Sequence, residues 1–208
     1  MFESCKVRII DYGVGNTASV SNALSLLGVK AVITKDKKEI EKSTHLILPG
    51  VGSFGEGMTN LKKNGLDNLI KNQVLSKGKK ILGICLGMQL LASKGFEYGE
   101  HDGLEIIPGK VIKIDNSISK LHLPHIGWNN VNLIGNHKIT RGFEKEPIFY
   151  FVHSFHFVPE NNECVAGVCD YGEKIVSILE HQNIFGVQFH PEKSHDDGFH
   201  ILRNFLSI

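Results

Sequence analysis

Nowhere do two cysteines stand as a C-x-x-C pair: Cys5, Cys85, Cys164 and Cys169 are four thiols in 208 residues, too scattered for a disulfide framework or a zinc pattern. They are expected to be reduced, as in the cytosol. An excess of one charge is also missing. Against 23 Lys+Arg stand 22 Asp+Glu, a formal net charge of +1, which leaves no electrostatic footprint for nucleic acid or an anionic membrane surface. Long apolar runs are lacking as well: stretches such as Ile148 to Val152 fall far short of the roughly 20 residues that span a bilayer. The first residues carry Glu3 and Lys6 ahead of a short apolar stretch, not the basic start and longer apolar core of a secretory signal. With no repeat, linker or low-complexity tract, one domain over residues 1–208 is expected, soluble and cytoplasmic; domains of roughly 100 to 200 residues build a core without disulfide or metal.

What is present is an alternation of strand and helix patterns. Val7 to Ile10 reads as a buried strand, followed by the turn-rich stretch Asp11 to Asn16 and an apolar-periodic helix around Ser19 to Leu27. Gly28 closes that helix; Lys30 to Thr34 suits a strand, Lys37 to Lys42 a short helix, and His45 to Leu48 a strand stopped by Pro49-Gly50. A helix from about Gly57 to Leu75 and a strand Lys80 to Ile84 continue the pattern. Such alternation predicts an α/β fold: a mostly parallel central sheet flanked by helices. Beyond Gly103 short β-type segments take over, at Lys110 to Ile114, Asn130 to Leu133, Ile148 to His153, Cys164 to Cys169, Ile175 to Glu180 and Ile184 to Phe189. They predict a second, smaller mixed or antiparallel sheet region. A last helix, about Asp197 to Leu206, is expected to pack back through Phe199, Leu202 and Phe205.

Gly83-Ile84-Cys85-Leu86-Gly87 follows a predicted strand and opens a predicted helix, Met88 to Ser93. This is the G-x-S-x-G elbow with Cys in place of Ser. Glycines on both sides let neighbouring backbone pack closely while the side chain between them rises above the sheet edge. A free cysteine is most often a small buried hydrophobe, and Cys5, Cys164 and Cys169 are read that way; the two flanking glycines single out Cys85 as a nucleophile. The following helix N-terminus is expected to favour its thiolate, and the Leu86 N–H to serve as an oxyanion donor.

A thiol nucleophile needs a base, and there are eleven histidines. His190 ends an apolar strand and is followed by Pro191-Glu192, so imidazole and carboxylate leave one strand end together. Glu192 can hold one ring nitrogen as donor while the other takes the Cys85 proton and returns it to a leaving group. A metal site from His153, His156 and His190 is the alternative, but no HExxH or clustered Cys/His spacing supports it. Neither metal nor cofactor is expected.

The two blocks Gly83 to Gln89 and Phe189 to Glu192 together resemble the class I (triad) glutamine amidotransferases, Cys-His-Glu glutaminases on an α/β sheet. Asp11 to Asn16, Pro49 to Phe54 and Pro124 to Asn129 are similar to the branch that serves imidazole glycerol phosphate synthase, and the likeness runs over almost the whole chain. The resemblance implies that Cys85 attacks L-glutamine, that a glutamyl thioester is hydrolysed to glutamate, and that ammonia passes to a (β/α)8-barrel cyclase partner in a heterodimer for histidine biosynthesis. It further implies that Gly50, Val51 and Gly52 form a second oxyanion element, at rest until the partner's ligand reorders it. By the same likeness Gln89 touches the substrate, and Asn16, Trp128 and Lys193 meet the partner near the ammonia passage. Two positions depart from the family pattern, Phe155 where tyrosine is usual and Glu105 where glycine is. They leave room for a related subunit feeding ammonia to amidation of a cell-surface sugar; independently of them stand a silent scaffold that only binds a barrel partner and a cysteine peptidase on the same elbow. The peptidase would need a peptide cleft.

Overall fold

The computed structural model describes residues 2, 5–115, 117 and 120–208; Glu3, used above in reading the N-terminus, lies outside them. The first half runs β1 (Val7–Ile10), α1 (Thr17–Leu26), β2 (Val32–Thr34), α2 (Lys37–Glu41), β3 (His45–Gly50), α3 (Phe54–Lys63), α4 (Asp67–Lys71), β4 (Lys80–Cys85) and α5 (Leu86–Gln89). There follow β5 (Lys94–Gly95), β6 (His101–Asp102), β7 (Gly109–Lys113), β8 (His125–Asn130), β9 (Asn132–Leu133), β10 (Ile148–His153) and β11 (Phe155–Pro159). The chain closes with β12 (Val165–Asp170), β13 (Lys174–His181), β14 (Ile184–Val187) and α6 (His195–Ser207).

Eight strands form the central sheet in the order β2-β1-β3-β4-β14-β13-β12-β9. The first five are parallel neighbours, and β13, β12 and β9 extend the sheet antiparallel. Parallel strands buried on both faces need apolar residues at every position, and β3 is buried throughout. Alternate residues divide between two cores. Ile9, Ile47 and Leu82 face α1 and α6, where Leu24, Leu202 and Phe205 pack. Ile10, Leu46, Leu48 and Ile81 face α3 and α4, where Phe54, Met58, Leu61 and Ile70 pack. A two-stranded sheet, β10-β8, and a four-stranded one, β11-β7-β5-β6, are the smaller β region. The expected α/β architecture is therefore present, with the antiparallel strands partly continuing the main sheet. Among the described residues no helix is long and apolar enough to cross a membrane.

Several boundaries differ from the sequence reading. The helix expected over Gly57 to Leu75 breaks after Lys63, where the Gly65 and Leu66 N–H groups donate to the Lys62 and Leu61 carbonyls and Gly65 takes φ 60°. This is the Schellman close of a helix. Strand β3 continues through Pro49-Gly50 and does not stop before them, pairing Pro49 with Ile84 and Gly50 with Cys85. Its pairing with β1 ends at Ile47, so position 49 is locally an edge where a missing N–H is tolerated. The helix after Cys85 has four residues and ends at Gln89, short of Ser93. Beyond it the carbonyls of Leu90, Leu91 and Ser93 accept from the N–H groups of Leu104, Ile106, Ile107 and Gly103, which draws the chain out of helix. Strands β8 and β11 were not foreseen as separate elements.

Candidate active site

Strands β4 and β14 are parallel neighbours, so the residues leaving their carboxyl ends emerge side by side, at the sheet edge where α/β folds bind ligands. Cys85 ends β4 with φ 53° and ψ −113°, a conformation that costs a residue with a Cβ of order 1–3 kcal/mol. Packing enforces it. A Cβ at Gly87 would lie 1.7 Å from the Leu48 carbonyl oxygen, so the turn into α5 closes on β3 only with glycine there. The cysteine thus faces a cavity of about 320 Å³, lined also by Val51, Gly52, Leu86, Gln89 and His190.

Three residues past the end of β14, His190 leads into a single 3-10 turn, Pro191–Lys193, that brings Glu192 back to the ring. Nδ1 lies 2.9 Å from Glu192 Oε1, with the two side chains 2% and 1% exposed. The backbone is pinned as well: the His190 N–H donates to the Tyr150 carbonyl, and the Ser194 hydroxyl donates to the His190 carbonyl while accepting from the Tyr150 N–H. Nε2 of His190 and Oε2 of Glu192 are buried with no hydrogen-bond partner. Burial alone would lower the imidazole pKa; the adjoining Cys85 sulfur and the Glu192 carboxylate outweigh it and raise it to about 10. His190 is therefore set to rest as imidazolium at neutral pH.

The structure brings Cys85, His190 and Glu192 together and places Gly50, Val51, Gly52, Leu86 and Gln89 around them. Gly50 forms the last β3–β4 rung opposite Cys85, and Gly52 takes φ 95°, a value suited to glycine. Leu86 opens α5, so its N–H has no acceptor within that helix. Gln89 spends its amide nitrogen on the Phe155 carbonyl at 2.8 Å and Gln188 Oε1 at 3.0 Å, which leaves only its oxygen to offer a ligand. With α5 so short, the helix dipole invoked for the thiolate is a minor influence; the donor found at the sulfur is Gln188 Nε2, at 3.8 Å.

Asn16 is half-buried, with its amide 3.4 Å from Glu192 Oε1. Trp128 is 49% exposed on β8, stacked on His195 at 4.9 Å and edge-on to Tyr150 at 6.0 Å. Lys193 is exposed, its Nζ 5.7 Å from the Tyr150 ring centre. Trp128 and Lys193 thus meet on one face around Tyr150, with Ile126 exposed two residues along β8.

Sequence reasoning passed over Glu97, Gln188 and Tyr12 here, and weighed His153 only as a metal ligand. Glu97 is the carboxylate on the cavity wall. Gln188 is fully buried, a lone amide in an apolar run, and that position was the available signal. His153 lines the cavity, and burial lowers its pKa to about 3. Tyr12 buries its hydroxyl without a partner, 2.5 Å from where a Cβ on Gly50 would stand; burial and the nearby Cys85 charge push its pKa far up. Of the other thiols, burial raises Cys164, and Cys169 to about 11. Among the described residues no group of three or more His, Cys, Asp or Glu could hold a metal ion.

The sequence pattern of the glutamine amidotransferase class-I family matches residues 8–208. An imidazole glycerol phosphate synthase subunit HisH from Sulfurimonas denitrificans is 45% identical over 201 residues, covering 96% of both chains. One from Chlorobaculum tepidum is 42% identical over 203 residues, covering 97% of this chain and all of that one. The structure of PurLQS from Thermotoga maritima superposes with a TM-score of 0.76 over 98% of each chain, at 20% identity, a likeness of fold. With that pattern matched over nearly its whole length, the chain belongs to the class-I glutamine amidotransferases.

Proposed function

We propose that the chain is the glutamine-hydrolysing subunit of an imidazole glycerol phosphate synthase, working in the cytoplasm with residues 1–208 as one amidotransferase domain. The observation that carries this is the convergence of Cys85 and His190 on one cavity of about 320 Å³, the size of site that suits a small molecule, with Glu192 hydrogen-bonded to Nδ1 of the His190 ring.

The Cys85 thiolate attacks the side-chain carbonyl carbon of glutamine. The oxyanion is met by the Leu86 N–H and by an N–H turned inward from the Gly50 to Gly52 strand. Imidazolium His190, oriented by Glu192, gives its proton to the departing nitrogen, and ammonia leaves a glutamyl thioester. Water then attacks the thioester, His190 takes its proton, and glutamate departs as the thiolate re-forms. Glu97 is the anionic wall that suits the substrate's α-ammonium, and the free Gln89 oxygen accepts a hydrogen bond from the substrate. Ammonia passes to a (β/α)8-barrel cyclase docked on the face that carries Trp128 and Lys193, with Asn16 beside the passage.

The test is glutamate release from glutamine by the chain alone, with the cyclase of its own organism, and with that cyclase plus its nucleotide ligand. A large rise in the full mixture supports the reading. No rise, with the cyclase active on free ammonia, overturns it in favour of another acceptor, such as amidation of a surface sugar.

A further inference from the structure

We infer that Gln188 is a further catalytic residue, whose side-chain amide donates to the Cys85 sulfur and holds it as the attacking thiolate. The inference rests on the glutaminase reading only for the identity of the bond attacked.

The orientation of the amide follows from its neighbours. The Phe155 carbonyl oxygen can only accept, and it meets Gln89 Nε2 at 2.8 Å. That same nitrogen lies 3.0 Å from Gln188 Oε1. Gln188 therefore turns its oxygen to Gln89 and its nitrogen to Cys85, 3.8 Å from Sγ. Flipping it would set nitrogen against nitrogen and an oxygen lone pair against the sulfur. The other side of the Phe155 carbonyl is fixed in the same way. Asn129 Nδ2 donates to His125 Nε2 at 3.3 Å, so His125 Nδ1 carries the hydrogen it donates to His153 Nε2 at 3.1 Å. His153 Nδ1 is then left to donate to Phe155 at 2.9 Å. The sequence works only with neutral imidazoles, and burial lowers these two to about 4 and about 3.

Filling the core does not account for Gln188. The side chain is fully buried, and a buried amide is costly unless each end is hydrogen-bonded. Its oxygen has Gln89; its nitrogen has the sulfur. A thiol is a weak acceptor and a thiolate a strong one, so the amide is satisfied well only when Cys85 is ionised. The same contact holds the sulfur in the cavity that His190 also lines, where His190 Nε2 has no hydrogen-bond partner of its own.

The experiment measures the rate of Cys85 alkylation by iodoacetamide against pH, read by mass spectrometry on the full chain with neither glutamine nor partner. The titratable groups around the sulfur are His190, with Glu192 behind it, the Tyr12 phenol, and His153 and Glu97 in the lining of the same cavity. The profile reports the Cys85–His190 pair as a unit. Gln188→Met keeps the bulk and removes the donor; its inflection is expected about one pH unit higher than in the unaltered chain, the shift for losing one hydrogen bond to a charged group. Should that variant fail to melt cooperatively, Gln188→Asn, which draws the amide back by one carbon, carries the test with a shift in the same direction. An inflection unchanged in the variant that carries the test overturns the role. Because no glutamine is used, that result is separate from a failure of glutamate release, which would count against the glutaminase reading alone.

Discussion

Asn16 occupies the N-cap position of α1, yet its side chain makes no capping hydrogen bond and reaches Glu192 Oε1 at 3.4 Å instead. Asparagine is among the best cap residues; here its amide is diverted from the helix to the carboxylate hydrogen-bonded to His190. Serine is an equally good cap but too short to reach. Asn16→Ser is therefore expected to leave stability unchanged or raise it by ~0.5 kcal/mol, while glutamate release by the complex falls roughly tenfold. Urea midpoints and kcat measured on one preparation check both halves. Unchanged kcat would assign the contact no part in turnover.

The backbone at Cys85 makes a second prediction. At φ 53° a Cβ is a liability, so Cys85→Gly should be more stable than Cys85→Ala by about 1 kcal/mol, the reverse of their order in an ordinary strand. Both variants should lose glutamine hydrolysis while their complexes keep turnover with added ammonia. Equal denaturation midpoints would mean that the turn relaxes without the sulfur.

Tyr12 carries a buried hydroxyl with no partner. Tyr12→Phe removes a group that is desolvated without compensation, and is expected to stabilise the chain by about 1 kcal/mol in thermal or urea unfolding. A loss of similar size would reveal a partner for the hydroxyl in solution.

Stability should decline in mild acid. His45 and His125 are lowered to about 4 and His153 to about 3, each by burial as the main cause, below the unfolded value near 6.5. As pH falls from about 6.5 toward 4, the unfolded chain binds protons that the folded chain refuses, so each such histidine removes stability over that window. For His153, buried throughout, the slope reaches about 1.4 kcal/mol per pH unit. His190 has the opposite sign: raised to about 10, its contribution is complete below about 6.5 and is lost as pH rises toward 10. Urea unfolding at a series of pH values checks this, and a flat profile between 6.5 and 4.5 would contradict it.

The elements with strong period or punctuation were legible in the sequence. Val7 to Ile10 and Ile148 to His153 stand at their expected bounds, because short segments rich in β-branched and aromatic residues between polar or proline-bearing stretches admit few other structures. The elbow at Cys85 and the His190-Pro191-Glu192 turn could be placed because chemistry and backbone restrict the same few residues. The shortness of α5 could not be read, since it is set by hydrogen bonds from residues 103–107, more than ten positions away. Strand β8 was hidden by its own composition: on this two-stranded ribbon Ile126 and Trp128 are exposed while His125 is buried, an inverted hydrophobic alternation. Gln188 stayed unnoticed because its partners, Gln89 and Cys85, lie about a hundred residues back in the chain.

Gly50 and Cys85 form the final rung of the β3–β4 ladder, and that rung limits how the site can move. Sliding β3 by a residue would exchange its two buried faces, putting Leu48 where Ile47 packs, so the strand cannot work as a piston. Any rearrangement of the segment from Gly50 to Gly52 must instead rotate about a pivot at Gly50, within the two peptides that lead to Val51 and Gly52. Cys85 and the pivot share one ladder, so such a rotation moves Val51 and Gly52 in the cavity lining while Cys85 stays in register.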